Sequence, residues 1–351
     1  MTQPDLPIFD FADHPDIADF VAASGTRRQD LTGFDPEYAD IVDYIVRCTH
    51  RIWEEGAVGL IYSHYAHNVT MHSTLGLTYG VEAVVRDTLR RQAAFTDYRS
   101  YADDVIWTGN AAEGFYTSHR IMTVGVNSGH TEYGPATGGR IGRWVVADCR
   151  VKDNRIFEEW IVSDKSAELR QLGYDPLVLA RSSAPLPLAA STESGHQLGQ
   201  SAPDVLPLSG AQHAEAFVPA LLHNLWNARM VNLVREHYAP SLLAWVPGGR
   251  RLSGPEAYRN FVFSLMAQFS DLHLNVDHVC ALGDERRGQR VATRWTLRGT
   301  HDGVGAYGAP TGRPIFLLGI THHFIQGGRI QREWTVFDEF ALLRQLYAPP
   351  A

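Results

Sequence analysis

The sequence predicts an α+β chain built twice, with helices first, then a long antiparallel sheet, then a short closing helix in each half. Three observations carry this. RIQREWTVFDEFALLRQL at 329–346 has a near-copy, RIFEEWIVSDKSAELRQL, at 155–172. The offset of 174 (338 minus 164) aligns Glu159 with Glu333, Trp160 with Trp334, Asp164 with Asp338, and Leu-Arg-Gln-Leu with Leu-Arg-Gln-Leu. Upstream, at an offset of 173, Trp53 pairs with Trp226, His64 with His237 and Tyr65 with Tyr238. Between these anchors, both halves run through strands punctuated by turns such as Lys152-Asp153-Asn154 and Gly327-Gly328.

In chain order, residues 1–34 read as an N-terminal extension in which Asp10, Asp13, Asp16 and Asp19 make a solvated face. The first domain spans 35–175. Asp35-Pro36 signals a helix start, and Tyr38, Ile41, Ile45, Cys48 and Ile52 follow at helical spacing. Gly80 and Gly254 sit at matched turn-to-helix junctions. Residues 176–215 are rich in Pro, Ser, Ala, Gly and Gln and read as a linker. The second domain spans 216–351.

The totals limit the partners. With 351 residues the chain is long enough for two full cores. A net charge of −8 leaves no basic footprint, so nucleic acid is not expected. No apolar run reaches the ~18 residues of a membrane span, and the acidic N-terminus is not that of a signal peptide. Three scattered cysteines make neither a disulfide framework nor a metal motif. A reduced, cytoplasmic protein is expected.

Specific residues then point to a family. The second half carries Arg294-Trp-Thr-Leu-Arg-Gly-Thr-His301, Pro310-Thr-Gly312, Gly328-Arg-Ile330, Glu333-Trp334, Asp338 and Leu343-Arg-Gln-Leu346. The first half carries Tyr133-Gly134, Thr137-Gly138, Glu159-Trp160, Asp164 and Leu169-Arg-Gln-Leu172, but reads Val124-Gly-Val-Asn127 where the second has Arg-Gly-Thr-His. Together they resemble the SnoaL-like polyketide cyclase family of the NTF2-like superfamily, as a tandem duplication. The resemblance implies two cone-shaped α+β barrels, helices packed on a curved antiparallel sheet, forming an internal pseudo-dimer that further oligomerisation could extend. It also implies that neither metal nor nucleotide cofactor is used. An Asp in the last strand would act as general acid/base, which carries over to Asp338 and Asp164.

The residues themselves leave alternatives open. Strand alternation puts Trp334, Val336 and Asp338 on one face, and Trp160, Val162 and Asp164 on its counterpart. Desolvation beside Trp would raise such an Asp toward the range useful in proton transfer. Asp just before a helix is equally a favoured N-cap. Glu159 and Glu333, on the opposite face, read as salt-bridge or interface positions. His119 and His301 are the candidate catalytic partners, one per copy, and each is equally readable as a core or turn histidine. His72, Tyr62, Trp144, Trp245, Trp295 and His323 are candidate substrate-binding residues. For the adjacent pair His322-His323, alternation does not decide which points inward. His64, His67 and His72 lack a carboxylate to complete a metal shell, so no metal site is expected.

The expected function is a cofactor-independent acid/base enzyme, cyclase/isomerase or lyase/dehydratase, acting on a small carbonyl- or ring-bearing metabolite. The alternative is a non-catalytic binder or scaffold on the same fold. Unlike pairs such as His72 against Trp245 and Asn127 against His301 favour asymmetry between the copies, while the Asp retained in both opposes complete decay of either, so one or both could be catalytic.

Overall fold

The protein was analysed as a computed structural model, which describes Ile8, residues 26–186 and residues 204–349. The acidic face expected at 10–19 and residues 187–203 of the linker lie outside these residues. The chain forms two compact units. The first takes the chain up to His72, then Leu77–Ile161 and Gln171–Gly173; the second takes Ser73–Gly76, Val162–Arg170 and the chain from Tyr174 on. The second unit therefore includes the end of the first repeat's last strand and most of its closing helix.

In unit 1, the helix signalled by Asp35-Pro36 begins later, as α1 (Ile41–Thr49), because the Asp40 side chain accepts the Asp43 N–H and sets the start. One π-turn (His50–Glu54) and one 3-10 turn (Val58–Leu60) lead to α2 (Ile61–His64). Then come β1 (Tyr65–Ser73), β2 (Gly76–Tyr79) and α3 (Val81–Ala94). Strands β3 (Arg99–Asn110), β4 (Gly114–Val126), β5 (Arg140–Lys152) and β6 (Arg155–Ser163) follow. Helix α4 (Lys165–Gln171) closes the repeat, and α5 (Pro176–Ser182) falls where a linker was expected. Asp175 caps α5 and Pro176 occupies its first position.

Unit 2 repeats the order with α6 (Ala214–Trp226), α7 (Leu233–His237), β7 (Tyr238–Val246), β8 (Arg250–Ser253) and α8 (Gly254–Met266). Strands β9 (His273–Asp284), β10 (Gly288–Thr300), β11 (Pro314–Gln326) and β12 (Arg329–Phe337) precede α9 (Glu339–Tyr347). The two sheets have the same topology, β2-β1-β6-β5-β4-β3 and β8-β7-β12-β11-β10-β9. They are mixed rather than purely antiparallel. β1 runs parallel to β6, and β7 to β12, because each pair is joined by a long excursion through a helix and four strands rather than a hairpin. Register shifts at Ala102/Asp104, Arg294/Trp295 and Phe324/Ile325 bend the long strands. The turn into α3 and α8 is made by Gly80 (φ 86) and Gly254 (φ 80), a left-handed backbone that favours glycine.

The interiors differ. Unit 1 is filled by a cluster in which Leu31, Phe34, Tyr38, Tyr44, Cys48 and Ile52 pack against Tyr65, Phe115, Ala147 and Cys149. In unit 2, α6 and α8 lay Leu222, Trp226, Tyr258, Phe261 and Leu265 over the sheet and leave a cavity between.

Candidate active site

The cavity in unit 2 has a volume of about 30 Å³. It is narrow: as the side chains stand, it has room for about two water molecules. Its wall is apolar and aromatic, with Phe269, Trp295, Leu297, Leu317 and Phe337 joining the helix residues above. Three polar side chains interrupt it, Thr321, Glu333 and Thr335, and no Lys or Arg lines it.

Strand alternation explains which residues face inward. On β12, Glu333, Thr335 and Phe337 line the cavity. Directly across on β11, His323 pairs with Glu333, Thr321 with Thr335 and Gly319 with Phe337. On β10, Trp295 stands opposite Gly319 and Thr293 opposite Thr321. The indole of Trp295 lies over Gly319, where any Cβ would collide with its ring. Residues in register share a face, so His323 is the inward member of the His322-His323 pair.

Glu333 is fully buried, with 0% of its surface exposed. Its Oε1 accepts the Thr335 hydroxyl at 2.7 Å. Its Oε2 has no hydrogen-bond partner. His323 Nε2 lies 3.4 Å from Oε2, close enough for charge attraction but short of an aligned hydrogen bond. Tyr238 and Tyr258 are stacked, ring centroids 4.9 Å apart, and both hydroxyls adjoin the carboxylate. Burial pushes the Glu333 carboxyl up, but His323, Thr335 and Tyr258 outweigh it and hold the group below its ordinary value. Burial, followed by the charge of Glu333, keeps both phenols well above theirs and protonated. The cavity thus presents an ionised carboxylate whose Oε2 makes no hydrogen bond, an imidazole 3.4 Å from that oxygen and one phenol, Tyr258, in its wall.

Of the residues proposed from sequence, Trp295 and His323 belong to this site. The two aspartates do not. Asp338 caps α9, accepting the Ala341 N–H at 3.0 Å, and is absent from the cavity wall. Asp164 is buried and holds three backbone N–H groups, of Ala167 (3.1 Å), Gly248 and Gly249 (both 2.8 Å). Burial raises the Asp164 carboxyl, and those three donors oppose the rise. The alternation Trp334–Val336–Asp338 was read correctly, but that face is the one turned away from the cavity. The physical reason is that β12 is buried on both faces, so Trp334 and Val336 are covered without pointing inward.

The remaining candidates also lie elsewhere. His72 stacks on Trp160 (4.8 Å, 14°) as Trp245 stacks on Trp334 (4.8 Å, 2°), both on the sheet face opposite the glutamates. They are one conserved stacking position of the repeat, not pocket walls. His72 Nε2 further meets Glu158 at 3.1 Å. Tyr62 is 50% exposed and donates to Glu82. Trp144 pairs with Met122 on the face of β5 away from the core residues Ala147 and Cys149. His119 shares the inner face of unit 1 with Val105 and Ala147. Burial, then Arg120, drives its imidazole down to about 3, so it is neutral at pH 7. His301 organises a loop: it pairs with Arg313 and Gly312 through its backbone, its Nδ1 meets Thr311 Oγ1 at 3.2 Å, and its ring tilts on Phe269 at the cavity end. Asn127 makes the same backbone pairs, with Gly139 and Gly138, in unit 1, so these two positions share a structural task. Among the described residues no cluster of three or more His, Cys, Asp or Glu is placed to hold a metal, and no helix is long and apolar enough to cross a membrane.

Sequence reasoning assigned Glu333 to an ion pair or interface and did not single out Tyr258 or Thr335. The signal that could have found them is Glu-x-Thr on one strand, with Thr-x-His on its neighbour at matching parity.

Residues 218–346 match the model of the SnoaL-like polyketide cyclase family, so the second repeat is a SnoaL-like domain. Among solved structures, the chain is similar to a SnoaL-like protein from Jannaschia sp. CCS1 (19% identity, covering 43% of this chain and 100% of that one, TM-score 0.34). It is also similar to IdmH from Streptomyces antibioticus (28% identity, 36% and 94%, TM-score 0.31) and to TsrD from Streptomyces laurentii (21% identity, 36% and 89%, TM-score 0.32). No curated protein matches the chain in sequence.

Proposed function

We propose that unit 2 is a cyclase- or isomerase-type acid/base catalyst acting on a small, neutral, carbonyl-bearing molecule, with Glu333 as the proton acceptor. The observation that carries this is Glu333 Oε2: a buried carboxylate oxygen without a hydrogen bond, 3.4 Å from His323 Nε2, on a residue that lines an apolar cavity. A buried polar atom left unpaired is costly, and a ligand that offers a polarised C–H or O–H there would relieve it.

The chemistry follows from charge. Glu333 Oε2 takes a proton from carbon beside a carbonyl, the C–H pair becomes a C=C bond, and the carbonyl oxygen becomes an enolate. Tyr258, whose ring lines the cavity and whose hydroxyl adjoins the carboxylate, donates to that oxygen. The protonated Glu333 then returns its proton to carbon, giving isomerisation, or to the alkoxide formed when the enolate attacks a second carbonyl, giving ring closure. One negative charge moves between Glu333 and substrate throughout. With no Lys or Arg in the wall, a substrate entering as an anion would place a second buried charge beside the first. The narrowness requires the aromatic side chains to part for any ring-sized ligand.

The test is deuterium incorporation from solvent into a panel of neutral ketones (cyclohexanone, α-tetralone and related compounds), followed by NMR. Wild type should accelerate exchange for members that fit, Glu333→Gln should lose about 10²- to 10⁴-fold, and Asp338→Asn should retain it. Equal rates for wild type and Glu333→Gln across the panel, including no acceleration by either, would refute the reading. Binding of a panel member by wild type without exchange would favour the non-catalytic alternative.

A further inference from the structure

We infer that Trp295, Thr321 and Thr335 form a one-way hydrogen-bond chain that pins Glu333 Oε1 and reserves Oε2 for the proton; the inference rests on Glu333 being the base. Trp295 Nε1 lies 2.9 Å from Thr321 Oγ1, Thr321 Oγ1 lies 3.1 Å from Thr335 Oγ1, and Thr335 Oγ1 lies 2.7 Å from Glu333 Oε1.

The direction of each proton follows from chemistry. An indole N–H can only donate, and an ionised carboxylate can only accept. Thr335 therefore gives its hydrogen to Glu333, and Thr321 gives its own to Thr335 while accepting from Trp295. Every hydrogen is committed toward the carboxylate. With Oε1 so held, rotation about the carboxyl bond would break the Thr335 link, so Oε2 keeps its place. Thr335 and Thr321 are positioning residues; they reach the reaction only through Glu333.

The duplicated copy provides an internal control. At the offset of 174, Trp295, Thr321 and Thr335 correspond to Ile121, Ala147 and Ile161, while the glutamate persists as Glu159. Unit 1 thus keeps the carboxyl and lacks every link of the chain. Glu159 retains one donor, the Tyr65 hydroxyl at 3.0 Å, and burial lifts it to about 7. A carboxyl stripped of its donors drifts toward the neutral acid; Glu333 is held ionised first by His323, which is Cys149 in unit 1, and then by Thr335 at the end of the chain.

The decisive experiment is the titration of Glu333 by infrared difference spectroscopy in the full-length protein, using Glu333→Gln to identify its band. Thr335→Val should raise the titration midpoint by one to two pH units, on the order of one lost charge-assisted hydrogen bond, and Thr335→Ser should restore it. Thr321→Val, which leaves the last link but loosens it, should raise it by less. The acid limb of the ketone-exchange pH profile should move with the midpoint. An unchanged midpoint in both Thr335→Val and Thr321→Val would overturn the chain. The two readings fail separately: a shifted midpoint with exchange surviving in Glu333→Gln would sink the base and spare the chain, whereas an unshifted midpoint with exchange lost in Glu333→Gln would do the reverse.

Discussion

Glu333 and Glu159 occupy the same place in two copies of one fold, and their surroundings have turned them into different groups. Both are buried on the last sheet strand with a tyrosine from the repeat's first strand nearby. Around Glu333 stand His323, Thr335 and Tyr258, and the side chain opens on a cavity. The matching positions around Glu159 hold Cys149, Ile161 and Val84, and Val84 and Cys149 belong to a filled core. Backbone and carboxyl are shared by the two copies while the donors around the carboxyl differ, which separates what the fold needs from what chemistry needs.

The largest expected difference is in activity. Glu333→Gln should abolish ketone exchange, whereas Glu159→Gln should leave its rate within about twofold, since general acid/base groups contribute about 10²- to 10⁴-fold. Exchange kinetics on the two variants check this.

The next difference is the sign of pH-dependent stability. The Glu159 carboxyl is raised from 4.5 to about 7. Its contribution is fully present below pH 4.5 and is lost as pH climbs to about 7, a change of up to about 3 kcal/mol. The Glu333 carboxyl is lowered, so its contribution is present above its unfolded value and is lost as pH falls through its folded one. Amide hydrogen exchange in β6 should therefore quicken on going from pH 5 to pH 8, once corrected for intrinsic rates, and Glu159→Gln should remove the effect. Protection in β12 should show the opposite trend toward acid. Parallel behaviour of the two strands would break the contrast.

Smaller effects concern the aspartates. Asp164 satisfies three backbone N–H groups and Asp338 has one such bond in common with it, the helix cap. Asp338→Ala should cost about 1 kcal/mol as a lost cap, and Asp164→Ala about 2–3 kcal/mol because buried donors are left unpaired. Urea denaturation measures both. Ketone exchange by folded Asp338→Ala should be unchanged.

This contrast also marks what was legible beforehand. The duplication could be read because packing and capping residues, such as Trp334, Asp338 and Leu-Arg-Gln-Leu, are retained at a fixed offset. Strand parity could be read because side chains alternate strictly. Which parity faces the cavity could not, since Trp334 and Val336 are as apolar as Phe337 and are buried on the other side. Asp338 drew attention as the carboxylate in line with Trp334, but a residue at the strand–helix junction serves the backbone. Tyr258 comes from α8 and meets Glu333 only through tertiary packing, for which local periodicity carries no signal. Trp295 was legible as an aromatic pocket residue, but its partnership with Thr321 depends on the β10–β11 register.

The most direct test of the central claim, that chemistry resides in one copy, is solvent-deuterium exchange measured side by side on wild type, Glu333→Gln and Glu159→Gln at pH 7.5, with folding verified for each. Exchange should vanish in Glu333→Gln and persist in Glu159→Gln. Loss in Glu159→Gln with retention in Glu333→Gln, or equal loss in both folded variants, would contradict it.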